Sequence, residues 1–360
     1  MQKELASATL GDHKAQIRYR QIPNEIQLIM LQRPRRNRKS EAIRSLTRET
    51  SLSTSNLIYP LFLVDGKGYK EEVSSLPGNY RWSLDTMLSE IETCIALELK
   101  HFILFPKIKE EYKDATGTHS YQDDNIYLKA AREIKSKFPT VTLISDVALD
   151  PYSIHGHDGI VKNGEIINDD TVDVLVKMAI AQAAAGFDMI GPSDMMDGRV
   201  GAIREGLDRK GFQNTSIMSY TAKYASAFYG PFRDALDSAP VDDPSIPKDK
   251  KTYQMDPANK SEALIEGELD EFEGADFLMV KPAVHYMDVI QLMKENFNLP
   301  IAAYHVSGEC AMLTAACQKG WLDFEKAMPE TLLSLRRAGT DAIITYFAKD
   351  YAQMVKDGKC

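Results

Sequence analysis

Lys281 closes the apolar run Phe277-Leu278-Met279-Val280, so its stem must leave a segment that reads as a buried strand. Lysine is seldom buried without a partner or a task. Desolvation disfavours the ammonium, and a second ammonium nearby lowers the pKa further from its usual value of about 10.4. A neutral amine attacks a ketone to form a Schiff base. Lys223 lies one short loop beyond another strand candidate, Thr215–Tyr220, and is expected at the end of the adjacent strand, where it can supply that second charge. Either lysine alone also reads as a snorkelling surface amine. Two lysines ending neighbouring strands read as a paired amine site.

More polar groups fall just after strand candidates. Asp146, Asp150, His155, His157 and Asp158 follow the third, Ser193, Asp194, Asp197 and Arg199 the fourth, and Tyr229 and Arg233 the fifth. His305 and Ser307 follow the seventh, and Tyr346 the eighth. The His155-Gly156-His157 triplet with flanking aspartates could hold a divalent ion, although a glycine-rich loop whose aspartates cap turns is the favoured reading. Ser193 and Asp194 open a loop that leads into a capped helix start, there to orient a ligand or to satisfy backbone donors. Residues 238–259 lack a secondary-structure pattern and carry Lys248, Lys250 and Lys251. A loop that long in a compact fold is a lid or a surface loop, and with Arg233 its cations could hold a carboxylate.

The elements that must position these groups alternate. Strand candidates are 57–64, 101–105, 141–147, 188–192, 215–220, 276–282, 300–306 and 341–347, short and apolar without clean alternation, as in a parallel sheet buried on both faces. Between them lie helical patterns at 83–99, 125–137, 170–186, 261–273, 286–296 and 324–338. Asp169 or Asp170 is placed to cap the third of these, Gly186 to stop it and Gly339 to stop the last. Strict alternation through eight strands predicts an α/β fold, a (β/α)8 TIM barrel with its chemistry at the C-terminal strand ends. Neither G-x-G-x-x-G after the first strand nor G-x-x-x-x-G-K-[ST] occurs, which removes the usual nucleotide signatures.

Composition bounds the function. The 360 residues carry a net charge of −9 and a pI near 5.4, which argues against a general nucleic-acid binder. No run approaches the roughly 18 apolar residues of a membrane span. Cys94, Cys310, Cys317 and Cys360 are scattered, so neither a disulfide framework nor a cysteine zinc cage is indicated and a cytoplasmic setting is expected. No secretory signal is read at the N-terminus, and Glu4, Asp12 and Glu25 are unusual for an organelle transit peptide, which stays open. Arg33–Lys39 packs five cations into seven positions and reads as part of an intersubunit arm, residues 1–45, ahead of a catalytic barrel, 46–360.

Four segments together closely resemble the porphobilinogen synthase (δ-aminolevulinic acid dehydratase) family. They are the run from Ser219 through Lys223 to Ala235, Met279-Val280-Lys281-Pro282, the run from Gly191 to Arg199, and Tyr304-His305-Val306-Ser307-Gly308-Glu309. The resemblance runs from about Arg33 to Ala352. It implies a barrel with an N-terminal arm, a homo-octamer, and condensation of two 5-aminolevulinate molecules per site into porphobilinogen. By the same resemblance Lys223 and Lys281 are the Schiff-base lysines, with Lys281 holding the substrate that becomes the propionate side. Ser307 and Tyr346 match the binders of that substrate's carboxylate. Arg233 and Lys250 match the cations for the other carboxylate, although many relatives have arginine at Lys250. Gln254 falls in the lid, and Asp146 and Ser193 match polar groups at the reacting amine.

The metal loop departs from the family pattern. Zinc-dependent members carry three cysteines where this chain has Ala148, Asp150 and Asp158, and one apolar and two hard oxygen positions make no thiolate zinc site. The resemblance therefore implies the branch without catalytic Zn²⁺, with Asp150 and Asp158 in its place, and an allosteric Mg²⁺ at Glu266. A class I aldolase-like barrel with one Schiff-base lysine, or an RNA-binding scaffold using the basic arm, are the competing readings.

Overall fold

The apolar runs become eight parallel strands closed into a barrel. The computed structural model describes residues 19–22, 25–28, 33–237, 243–244 and 246–360. The chain divides into two units, one ending at Ser51 and one running Leu52–Cys360. In the first, Tyr19–Ile22 and Glu25–Leu28 pair antiparallel, and the Ser40 hydroxyl accepts from the Ile43 amide to cap the short helix Glu41–Leu46. The remainder of the expected arm, residues 1–18, 23–24 and 29–32, lies outside the described residues.

The barrel strands of the second unit are Leu57–Leu63, His101–Pro106, Thr142–Ile144, Met189–Ile190, Ser216–Lys223, Phe277–Lys281, Ile301–His305 and Ala342–Thr345. Each pairs in parallel with its successor, and the eighth returns to the first through Ile343↔Leu57 and Ile344↔Ile58. The first strand is buried at every position, which is why its sequence shows no polar alternation. The third and fourth strands are shorter than the apolar runs suggest. Beyond Ile144 only the single bridge Val147↔Pro192 links them, so the chain leaves the ladder early and frees its polar residues for the barrel mouth.

Helices fill most of the connections, with four corrections to the pattern reading. Arg199–Arg209, Gly230–Leu236, Ser307–Gln318 and Ala348–Lys356 are helices that the apolar period does not announce. Glycine hides two of them. A Cβ on Gly206 would lie 2.6 Å from Val176 Cγ1, and one on Gly308 would lie 2.5 Å from the Phe228 carbonyl oxygen. Close packing needs glycine there despite its helix cost of about 1 kcal/mol. The helix expected from Asp170 begins at Asn168, with Ile167 at the cap position. Asp169 and Asp170 instead sit in its first turn, where acids favour the positive end of the helix dipole. Gly198, not a polar side chain, precedes Arg199–Arg209. Gly186 and Gly339 stop their helices as expected, at φ 103° and 121°.

Candidate active site

The fifth strand carries the decisive irregularity. Its register with the sixth shifts between Ser219 and Ala222, and beyond the shift Lys223 pairs directly with Lys281. Lys223 is therefore the last residue of its strand rather than a loop residue beyond it. The shift absorbs extra backbone on one strand and re-aims the side chains beyond it. Both lysine side chains are buried, Lys223 6% and Lys281 7% exposed.

Their surroundings differ. Lys281 Nζ sits over four rings, 4.6 Å from the centroid of Tyr304 and 5.1, 5.2 and 5.3 Å from those of Tyr220, Tyr229 and Phe232. Burial first, and the Lys223 ammonium second, bring its pKa down to about 7, against the pull of Asp146, Asp158 and Asp150. Lys223 Nζ instead donates to Asp158 Oδ2 at 3.1 Å and to the Ser193 carbonyl. One lysine is caged by aromatic faces, the other paired to a carboxylate.

Asp158 is shared. Its other oxygen accepts from Lys250 Nζ, which also donates to Asp150 Oδ2 at 3.2 Å. Gln254 Nε2 approaches Asp158 Oδ2 at 3.5 Å. Burial works against the Asp158 carboxylate, but Lys223 and Lys250 outweigh it and hold the carboxyl well below its usual range. The same balance, with Asp150 and Asp158 overcoming burial, holds the Lys250 amine above its ordinary value. Asp146 has the opposite fate: burial pushes its carboxyl up to about 6 despite both catalytic-candidate lysines. Its Oδ1 is buried without a hydrogen-bond partner, as is the Tyr220 hydroxyl. Asp194, raised by burial and by Asp158, accepts from the Leu149 amide at 3.0 Å and braces the loop.

The expected lid follows the fifth-strand connection. Residues 238–242 and 245 of it lie outside the described residues. The rest returns to the barrel through Met255, whose amide donates to the Lys223 carbonyl at 3.0 Å. His157, weighed as a metal ligand, spends both ring nitrogens on this segment: Nε2 lies 2.7 Å from the Pro247 carbonyl and Nδ1 3.1 Å from the Tyr253 hydroxyl.

One cavity thus brings together Asp146, Asp150, Asp158, Ser193, Lys223 and Lys281 with Arg233, Lys250 and Gln254. Ser307 and Tyr346 stand behind its aromatic wall. The Ser307 hydroxyl accepts from the Phe232 amide at 3.0 Å, and the Tyr346 hydroxyl meets that of Tyr304 at 2.9 Å. Glu266 lines a different, larger pocket with Asp197 and Glu262, which touches the first at Gln254. Burial, with Asp270, Asp197 and Glu262 nearby, raises its carboxyl to about 7 against the pull of Arg199. Crowded acids of this kind fit a hard cation. Among the described residues no three metal-ligating side chains converge. The rings of Tyr220, Phe232 and Tyr304 were given no role by sequence reasoning; their signal was their place beside the lysines in the motifs.

A cavity that pairs a buried amine of lowered pKa with a second lysine, cations at its rim and a buried carboxyl can activate two carbonyl groups side by side and hold two carboxylates. A family model for delta-aminolevulinic acid dehydratase matches residues 31–354. The Bradyrhizobium diazoefficiens delta-aminolevulinic acid dehydratase is 50% identical over 324 residues, spanning 90% of this chain and 91% of that protein. That of Chlamydia pneumoniae is 51% identical over 331 residues, 92% and 98% of the two chains. The chloroplastic protein of Physcomitrium patens is 53% identical over 329 residues, 91% of this chain and 74% of its own length. The crystal structure of the Toxoplasma gondii ME49 enzyme, in complex with its reaction product porphobilinogen, superposes with a TM-score of 0.89. It is 50% identical, over 92% of this chain and 94% of that one.

Proposed function

The chain belongs to the delta-aminolevulinic acid dehydratase family, and on that premise we propose how its own residues condense two 5-aminolevulinate molecules into porphobilinogen. The reaction is that of a lyase of tetrapyrrole biosynthesis and releases two waters. The observation that carries the residue assignment is the direct register of Lys223 with Lys281 at one cavity.

Lys281, whose amine burial and the Lys223 ammonium bring down to about 7, adds to one ketone, whose oxygen leaves as water to give an iminium. The four ring faces over Nζ favour that cation, each by about 0.5–2 kcal/mol. Lys223 does the same with the second ketone once its spare proton passes to solvent. The α-carbon of one imine loses a proton to give an enamine and attacks the other substrate's imine carbon. That other substrate's free amine attacks the first imine carbon, and each lysine then leaves as a free amine as a neighbouring proton is lost. Loss of ring protons then makes the pyrrole aromatic, with the Asp146 carboxyl, raised by burial and unpaired at Oδ1, as a proton acceptor beside the amines. Ser307 and Tyr346 take the first substrate's carboxylate, Arg233 and Lys250 the second's, and Ser193 and Gln254 orient its polar end. Holding both substrates in one pocket removes up to about 7–11 kcal/mol of barrier.

Two tests follow from the roles. Borohydride reduction with 5-aminolevulinate should attach substrate at Lys281. Lys223→Met should keep that adduct while losing porphobilinogen formation, whereas a Lys223→Met enzyme that still makes porphobilinogen refutes the paired-amine assignment.

No thiolate stands at Ala148, Asp150 or Asp158, and Asp158 is committed to two lysines, so we assign this chain to the branch without catalytic zinc. Glu266, with Asp197 and Glu262 beside it, would hold the allosteric Mg²⁺, which would supply positive charge to that pocket. Titrating Mg²⁺ into EDTA-treated enzyme should raise activity severalfold, and Glu266→Gln should lose that response with basal turnover retained. Activity that a strong chelator abolishes and only Zn²⁺ restores contradicts the zinc-free reading. We place the protein in the cytoplasm as a homo-octamer on the strength of the family alone; no helix among the described residues is long and apolar enough to cross a membrane.

A further inference from the structure

His157 belongs to the loop after the third strand, and its ring is fully buried. A carbonyl oxygen only accepts, so the 2.7 Å contact with Pro247 assigns the ring proton to Nε2. Nδ1 is then the acceptor, and the Tyr253 hydroxyl donates to it over 3.1 Å. The same hydroxyl accepts from the Asp158 amide at 3.2 Å, and the two rings meet edge to face with centroids 6.2 Å apart. Pro247 and Tyr253 stand three residues before and three after Lys250. Asp158, next in sequence to His157, takes the Lys250 amine itself. Two adjacent barrel residues therefore grip a seven-residue stretch of lid at both ends and in the middle.

We infer that His157 is a positioning residue, clamping Pro247–Tyr253 so that the Lys250 amine is held over the cavity before substrate arrives. Lysine has a long flexible stem, and a cation fixed in advance costs less ordering when it meets a carboxylate. Asp158 holds the amine where the second substrate's carboxylate will replace it, and the His157 clamp keeps the backbone in place during the exchange. The inference rests on the reading that Lys250 serves that carboxylate. The ring takes no part in the chemistry and touches no reacting atom.

Tyr253→Phe keeps the ring and removes only the hydroxyl, while His157→Ala removes both contacts. Each should raise the 5-aminolevulinate concentration for half-maximal turnover about tenfold, the effect of one or two lost hydrogen bonds. Saturated turnover should stay within about threefold and borohydride trapping at Lys281 at low substrate should be unchanged. Amide hydrogen exchange over residues 246–255, measured without substrate, should accelerate in both variants. Unchanged half-saturation and unchanged exchange overturn the inference, and so does a parallel loss of Lys281 trapping, which marks general damage to the fold. If the parent enzyme makes no porphobilinogen, the functional reading fails instead, and hydrogen exchange alone still decides whether His157 clamps the lid.

Discussion

Lys281→Met is expected to lose porphobilinogen formation by more than about 10⁴-fold while becoming more stable than the parent. The activity term follows from the tether: without an imine at this position the first ketone is neither activated nor held, and well-oriented intramolecular reactions owe effective molarities of about 10⁵ M or more to such holding. The stability term follows from linkage. Burial and Lys223 bring the Lys281 amine down to about 7, so the folded state disfavours a proton that the unfolded chain keeps up to about pH 10.4. That cost is present wherever the pH lies below about 10.4, and methionine, of similar length and no charge, removes it. Thermal unfolding near neutral pH should therefore shift upward as activity vanishes. A variant that loses both has lost its fold, and one that keeps turnover disposes of the Schiff base at this site. The same shift predicts the parent's pH profile. Imine trapping at Lys281 should rise tenfold per pH unit below about 7 and level off above it, where an ordinary lysine would go on rising toward 10.4.

Asp158→Asn should be the most destabilising single change in the cavity. It leaves the Lys223 and Lys250 ammoniums buried with half of their counter-charge gone, and breaking a buried pair from one side costs about 3–5 kcal/mol. The midpoint of urea unfolding reads this directly. Removing a cation as well, in Asp158→Asn with Lys250→Met, should return part of the loss. The signs of the pH dependence are fixed by the two shifts. Asp158, depressed in the fold, contributes stability that is complete above its unfolded pKa of about 3.9 and disappears as pH falls toward its folded value. Lys250, raised in the fold, contributes stability that is complete below about 10.4 and disappears as pH climbs through its folded value. The parent should thus lose stability steeply on acidification below about pH 4, and the Asp158→Asn curve should be flatter there. An Asn variant as stable as the parent at pH 7, with the same acid limb, excludes the shared ion pair as a support of the fold.

The eight strands and the two lysines were legible because each is a local pattern: an unbroken apolar run, and a cation at its end. The helix Ser307–Gln318 was not, and of Arg199–Arg209 only the start was, since Gly308 and Gly206 look like breakers until the Phe228 backbone and the Val176 side chain are seen pressed against them. The site divides in the same way. Lys281 announces itself beside Val280, whereas the bond from Lys250 to Asp158 spans 92 residues and that from His157 to Tyr253 spans 96. No window of sequence contains such a pair. The motif resemblance placed Lys250, Arg233, Ser307 and Tyr346 near the chemistry, yet could not say that Asp150 and Asp158 hold a lysine, because other members of the family are built with cysteine at those positions.

The register shift in the fifth strand also bears on design. Residues of one strand alternate between barrel interior and exterior. Ser219 obeys that rule, its hydroxyl donating to Asp270 of the outer helix Glu262–Phe272 at 2.6 Å, and Tyr220 turns its ring inward beneath Lys281. Strict parity would then send residue 223 outward with 219, and an amine there would face the helices. The shift breaks the count, so that Tyr220 and Lys223 share the interior three positions apart, 5.8 Å from ammonium to ring centroid. Two lysines painted onto an ideal barrel at these positions would not meet. Whoever transplants a double-amine pocket to another scaffold has to carry the irregular backbone with it, or set the inward ring and the inward amine two positions apart on a regular strand instead of three.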